Sequence, residues 1–186
     1  MNVAIVGATG YGGIQAVNLL KKNKKYKISF LGGNKTSGSK WNDNFPFIYL
    51  DNDPYIEEIS VDNISKNADV ALLCLPNGLS STLTRKLLDR GVKVIDLSAD
   101  YRYKSLDEWK KVYSKEAAIY KRNDDDLCKE AVYGLPEINK EAISKGRLIA
   151  CPGCYPTSAL IPLVPYLSQG IICLLYTSDA ADEASS

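Results

Sequence analysis

Apolar residues along this chain gather into short runs, and between the runs they recur about one helical turn apart. Asn2 to Val6 is the first run, rich in β-branched side chains, and predicts a strand. Ile14, Val17 and Leu20 or Lys21 follow at helical spacing, which predicts an amphipathic helix from Ile14 to about Lys22. Tyr26 to Leu31 predicts a second strand. Ala68 to Leu75 (ADVALLCL) is apolar throughout, as expected for a strand in a parallel sheet covered on both faces. A helix is expected over Ser80 to Arg90, with Leu83, Leu87 and Leu88 on one side. Gly91 stops it, and Val92 to Leu97 makes the next buried strand. Val132-Tyr-Gly-Leu-Pro-Glu137 opens a helix over Ile138 to Lys145, stopped by Gly146, before a strand over Arg147 to Ala150. Strand and helix in this alternation predict an α/β protein with a doubly wound, Rossmann-like parallel sheet.

Composition narrows the function classes. With 186 residues, a net charge of +1 and a pI near 7.5, the chain has no electrostatic footprint for nucleic acid or an acidic surface. The lysines Lys21, Lys22, Lys24 and Lys25 sit where the first helix should end, where positive charge complements the carbonyl end of the helix dipole. No apolar stretch reaches the roughly 18 residues of a membrane helix. No charged leader with an apolar stretch precedes the first strand, which argues against export. Five cysteines and no disulfide-rich pattern suggest free thiols in a reducing cytoplasm. The chain has no histidine. Trp41 and Trp109 read as packing residues, and the acidic stretch Asn123 to Asp126 as a solvated loop.

The first chemical signal is Gly7-Ala-Thr-Gly10-Tyr-Gly12-Gly13, placed between the first strand and the first helix. Such glycines allow a tight turn and close backbone approach, while the helix start offers N–H groups to a pyrophosphate. Gly7, Thr9, Gly10, Tyr11, Gly12 and Gly13 are therefore candidate dinucleotide-binding residues, although the spacing is G-x-x-G-x-x-G. An NAD site places an acid near the end of the second strand to hold the ribose 2′-hydroxyl. Here that strand runs into Gly32-Gly33-Asn34-Lys35-Thr36-Ser37, with no acid before Asp43. Lys35 and Ser37 suit a 2′-phosphate, which favours NADP (NADPH). Ligands of such sheets lie at the carboxyl ends of the strands. Leu75, Pro76 and Asn77 after one strand, and Ser98, Asp100 and Arg102 after the next, are thus candidates to line the site. Asp100 and Arg102 form a polar network there or brace a turn; the sequence does not choose.

Cys151 and Cys154 are three apart in ACPGCYPTSALIPL, after a strand and before a helix expected to begin near Pro156. A thiol at a helix N-terminus has its thiolate favoured by the aligned N–H groups. Structural zinc usually needs four Cys or His ligands, and there is neither a histidine nor a second C-x-x-C. A redox pair and a buried inert cysteine stay open beside the fourth reading, Cys154 as a nucleophile facing a nicotinamide.

GATGYGG at the start, LPNG at 75–78, DLSADYR at 96–102, YGLPE at 133–137 and PGCYPT at 152–157 occur in that order. Together they resemble the N-acetyl-γ-glutamyl-phosphate reductases, NADPH-dependent enzymes of arginine biosynthesis. The resemblance spans residues 1 to about 172. It implies that the Cys154 thiolate attacks the acyl phosphate to form a thioester, which NADPH reduces to N-acetylglutamate semialdehyde. Gly153 and Tyr155 then flank the nucleophile. Cys151 stands where the family commonly has asparagine, a bystander able to form a disulfide with Cys154 under oxidation.

The resemblance also implies a homo-oligomeric, cytoplasmic parent enzyme whose second domain carries an acid/base histidine and much of the substrate pocket. On this reading residues 1–150 form the NADP-binding domain and 151–172 the start of the catalytic domain. Residues 173–186 (CLLYTSDAADEASS) are a non-native tail resembling a translated library adapter. Such a truncated chain is expected to be inactive alone and to expose apolar surface. Related acyl-phosphate reductases, acting on N-acetyl-aminoadipyl or aspartyl phosphate, share the chemistry. A non-catalytic NADP-binding module with a redox C-x-x-C is the alternative of another class.

Overall fold

The computed structural model describes residues 1–173. Six strands form one wholly parallel sheet: β1 (Asn2–Val6), β2 (Lys27–Gly32), β3 (Val70–Leu73), β4 (Lys93–Asp96), β5 (Val132–Tyr133) and β6 (Leu148–Ala150). Their order is β2-β1-β3-β4-β6-β5, the reversal beside β1 marking a doubly wound sheet. The helices are α1 (Tyr11–Leu20), α2 (Trp41–Asn44), α3 (Val61–Asn67), α4 (Ser81–Asp89), α5 (Leu106–Val112), α6 (Ser114–Ile119), α7 (Asp125–Glu130), α8 (Pro136–Lys145) and α9 (Cys154–Ser168). The chain divides into two compact units, Met1–Cys151 and the residues from Pro152 onward. The first holds the whole sheet, and the second contains α9.

The register follows the apolar pattern. Ile5 pairs with Leu72, Leu72 with Ile95 and Ile95 with Ile149, so one row of branched side chains crosses four strands on one face. Alternate residues Ala71, Leu73 and Val94 point to the other face and are fully buried. They join a core with Leu87 and Leu88 of α4, Trp109 of α5 and Leu127 of α7. On the first face Val3 and Ile5 pack with Ala16 and Val17 of α1, and Trp41 belongs to the same cluster. Both tryptophans are completely buried packing residues, as expected.

Three expectations need correction. The first helix begins at Tyr11 rather than Ile14, so Gly12 and Gly13 lie in its opening turn despite their low helix propensity. Gly13 packs so tightly on the Gly7 carbonyl and Ala8 backbone that no larger residue fits. The last helix begins at Cys154 rather than near Pro156, with Gly153 as its N-cap. The acidic stretch is no solvated loop. Asp124 is 6% exposed, accepts a hydrogen bond from Tyr101 Oη at 2.7 Å and pairs with buried Arg122 at 3.0 Å. Asp125 accepts from the Leu106 N–H at the start of α5, and Asp126 pairs with Arg85. β5 was hidden in the sequence because two residues show no period.

Candidate active site

The glycine turn is built by close approach. Gly7 has φ of 81°, a conformation that disfavours a side chain, and a Cβ there would strike the Cys74 carbonyl. Its N–H and that of Ala8 both donate to the Gly32 carbonyl, at 3.0 and 2.9 Å, tying the turn to the end of β2. Gly13 seats α1 against the turn. Gly10 is different: it is exposed, and a Cβ there would meet nothing nearer than the Gly7 carbonyl at 3.5 Å. Gly10 therefore keeps space open outside the turn, while Gly7 and Gly13 are required by the turn itself. The first intrahelical bond of α1 is Ile14 N–H to Gly10 O. The N–H groups of Tyr11, Gly12 and Gly13 thus precede the ladder, as helix-opening donors suited to a pyrophosphate. Tyr11 is exposed beside them and Thr9 is half-buried. The cradle fits a dinucleotide.

Lys35 and Ser37 lie exposed in the turn after β2, as a site for a 2′-phosphate would require. Proximity along the sequence missed one neighbouring segment, which meets β2 through its main chain. Glu57 forms a bridge with Gly32, and its carbonyl accepts from the Gly33 N–H at 2.9 Å, so a distant segment lies beside the end of β2.

The loops after β3 and β4 are locked together. Asp100 is fully buried and accepts from the Gly78 N–H at 2.5 Å and the Ser81 N–H at 2.9 Å. Asn77 Oδ1 accepts from the Ala99 N–H at 3.0 Å. Ser98 donates its hydroxyl to Asp96 at 2.8 Å and accepts from the Asp100 N–H at 3.2 Å. Arg102 donates Nε to the Cys151 carbonyl at 2.8 Å and Nη2 to the Leu97 carbonyl at 3.0 Å. Asp100 and Arg102 are therefore separate braces, the first joining β3's loop to β4's and the second joining β4's loop to the end of β6. Leu75 is half-buried against the core and Pro76 is exposed at the same strand end.

Asp96 closes β4 and was not singled out from the sequence, because its place in DLSADYR gives no hint of its burial. Burial raises its pKa from the ordinary 3.8 to about 6, helped by the charge of Asp100 and opposed by the hydrogen bonds from Ser98. Burial also raises the pKa of Asp100, against the two backbone donors it holds. Two thiols share this end of the sheet. Cys74 is pushed up to about 12 and Cys151 to about 11, in both cases chiefly by burial. Cys151 is thus held as a thiol at neutral pH.

In the second unit, α9 opens on Cys154 itself. Gly153 caps it in an extended conformation, its carbonyl accepting from Thr157 N–H at 3.0 Å and Thr157 Oγ1 at 2.8 Å. Cys154 and Tyr155 are exposed at this end, where helix N–H groups favour negative charge. Of the C-x-x-C pair, the accessible thiol is Cys154.

Comparison with known proteins agrees with this geometry. Over 172 residues the chain is 98% identical to the N-acetyl-gamma-glutamyl-phosphate reductase of Prochlorococcus marinus strain AS9601, covering 92% of this chain and 49% of that one. It is 96% identical to the enzyme of the same name from strain MIT 9215, with the same coverage. The chain therefore spans about half the length of these curated relatives. Among solved structures, aspartate semialdehyde dehydrogenase II of Vibrio cholerae, complexed with ASA, superimposes with a TM-score of 0.59 at 25% identity, over 89% of this chain and 46% of that one. Residues 2–146 match the family described as "Semialdehyde dehydrogenase, NAD binding domain". The chain belongs to the semialdehyde dehydrogenase family through this dinucleotide-binding domain.

Proposed function

We propose that this chain is the cofactor-binding and nucleophile-bearing part of an NADPH-dependent reductase of N-acetyl-γ-glutamyl phosphate. The observation that carries the reading is Cys154, an exposed thiol at the first residue of a helix, in a chain whose sheet carries a dinucleotide cradle. The names and high identity of the Prochlorococcus marinus relatives support the substrate.

The Cys154 thiolate attacks the carbonyl carbon of the acyl phosphate, the C–O bond to phosphate breaks, and a thioester remains on Sγ. NADPH, when bound, supplies the hydride that reduces this acyl group. Collapse of the resulting hemithioacetal releases the aldehyde and restores the thiolate. The glycine turn holds the pyrophosphate at the start of α1, and Lys35 with Ser37 receives the 2′-phosphate. Arg102 and Asp100 hold the strand-end loops in fixed relation.

This chain has no histidine, and general acid–base catalysis contributes roughly 10²–10⁴-fold. We assign that group to the other half of a homo-oligomeric cytoplasmic parent enzyme and expect residues 1–186 alone to be inactive. The test joins residues 1–172 to the remaining half of the strain AS9601 relative. It follows NADPH oxidation with N-acetyl-γ-glutamyl, N-acetyl-aminoadipyl and aspartyl phosphates. The first substrate should be turned over with the highest kcat/KM. Preference for either other acyl phosphate refutes the substrate assignment, and turnover by residues 1–186 refutes the assignment of the missing group.

A further inference from the structure

The strand order reverses between β1 and β3, so the loops after these two strands border the crevice in which such sheets bind ligands. One loop is the glycine turn. The other is Leu75–Gly78, and the two touch: a Cβ on Gly7 would meet Leu75 Cδ2 at 3.2 Å. Asp100 and Asn77 tie the second loop to the one after β4. A third residue closes over it. Gly78 is buried at a φ of 86°, and the ring of Tyr120 lies where a side chain there would go. A Cβ on Gly78 would fall 2.1 Å from Tyr120 Cδ2 and 2.8 Å from Cγ and Cε2.

Tyr120 comes from a distant part of the chain. It caps the end of α6, its N–H donating to the Glu116 carbonyl at 2.8 Å. Two residues on, the side chain of Arg122 is 2% exposed and anchors the segment. Its Nε and Nη2 donate to the two Asp124 carboxylate oxygens at 3.0 Å each, and its Nη1 donates to the Asp100 carbonyl at 2.6 Å. The guanidinium carbon stands 4.5 Å from the ring centre of Trp109 and 4.9 Å from that of Tyr101. An arginine taken out of water needs such partners to offset its lost hydration. Asp100 therefore grips Gly78 directly through its carboxylate and indirectly through its carbonyl, by way of Arg122 and Tyr120.

We propose that Tyr120 is a positioning residue of the cofactor crevice: seated by Arg122, its ring holds Leu75–Gly78 against the glycine turn, and NADPH affinity depends on it. The inference rests on the reading of this crevice as an NADPH site. A buried ion pair adds little stability over apolar packing of the same volume; here the Arg122–Asp124 pair supplies a fixed location for the ring. Ring carbons make the contact with Gly78, so the phenol hydroxyl is dispensable.

Calorimetry of NADPH binding to the 186-residue chain, with Tm measured alongside, tests it. Tyr120→Ala should raise Kd by about fivefold or more. Its Tm should fall by less than about 4 °C, because Tyr120 is partly exposed and outside both core clusters. Tyr120→Phe should bind within about twofold of the unsubstituted chain. Gly78→Ala displaces the ring and should weaken binding about as much as Tyr120→Ala. The double variant should lose no more than the weaker binder of the two, since both remove one contact. In residues 1–172 joined to the remaining half of the strain AS9601 relative, Tyr120→Ala should raise KM for NADPH by a similar factor. Unchanged affinity in Tyr120→Ala, loss in Tyr120→Phe, additive losses, or a fall in kcat with KM unchanged overturns the proposal. Absence of NADPH binding by the unsubstituted chain overturns the cofactor reading itself, and this inference with it.

Discussion

Asp100→Ala tests the lock between the two strand-end loops. The substitution removes both acceptors for the Gly78 and Ser81 N–H groups, which reach the carboxylate at 2.5 and 2.9 Å. Hydrogen bonds to a charged group contribute about 1.5–3 kcal/mol each. The two together set an upper range of about 3–6 kcal/mol. Burial already raises the Asp100 pKa, so alanine relieves a desolvation cost and the net loss falls near the lower end, about 3 kcal/mol. For a unit of 150 residues, each 1 kcal/mol shifts Tm by about 2–4 °C, so the expected drop is about 6–12 °C. Urea unfolding at pH 7, followed by tryptophan fluorescence, measures it. Trp41 and Trp109 are fully buried in separate clusters and report on both. Asn77→Ala is the internal comparison, since its side chain accepts one neutral bond worth about 1 kcal/mol. A loss below about 0.5 kcal/mol for Asp100→Ala, or one no larger than that of Asn77→Ala, would refute the bracing role.

The glycine turn and the buried acid give further tests. Gly13→Ala forces a Cβ into the Gly7 carbonyl and the Ala8 backbone, so NADPH affinity, measured by calorimetry, should fall at least tenfold. Gly91→Ala instead places a side chain at a positive φ, in open space far from the turn, and should cost about 1 kcal/mol of stability with affinity unchanged. Because the folded state raises the Asp96 pKa to about 6, this group favours folding below its ordinary 3.8, and that contribution is lost as pH rises through about 6. The loss is about 3 kcal/mol, from roughly two pK units at 1.36 kcal/mol each. Asp96→Asn should therefore flatten the fall in urea stability between pH 4 and 7 and be the more stable protein at pH 8. An unchanged pH profile would remove Asp96 as its source.

The sequence exposed features carried by local pattern. The continuous apolar runs around Val70–Leu73 and Lys93–Asp96 showed two buried parallel strands, because both faces of such strands must be apolar. The glycines between β1 and α1 identified the cradle, although which glycine serves the turn and which leaves space depended on three-dimensional neighbours. Long-range pairing stayed hidden. Nothing local showed that Asp124 would be buried against Tyr101 and Arg122, or that Asp96 would close β4 without water. Asp100 and Arg102 were equally open to two readings until their separate partners were known. Spacing alone could not rank Cys151 and Cys154, since the difference is burial against exposure. The expected non-native tail lies, apart from Cys173, outside the described residues, and bears on none of these assignments.

The nucleophile is the claim on which the proposed function turns. The direct measurement is intact mass after incubation with a reactive acyl-phosphate analogue, for the parent chain beside Cys154→Ser and Cys151→Ser. A single acyl adduct is expected on the unsubstituted chain and on Cys151→Ser, and none on Cys154→Ser. An adduct that survives Cys154→Ser, equal labelling of both cysteines, or no adduct on any of the three would contradict it.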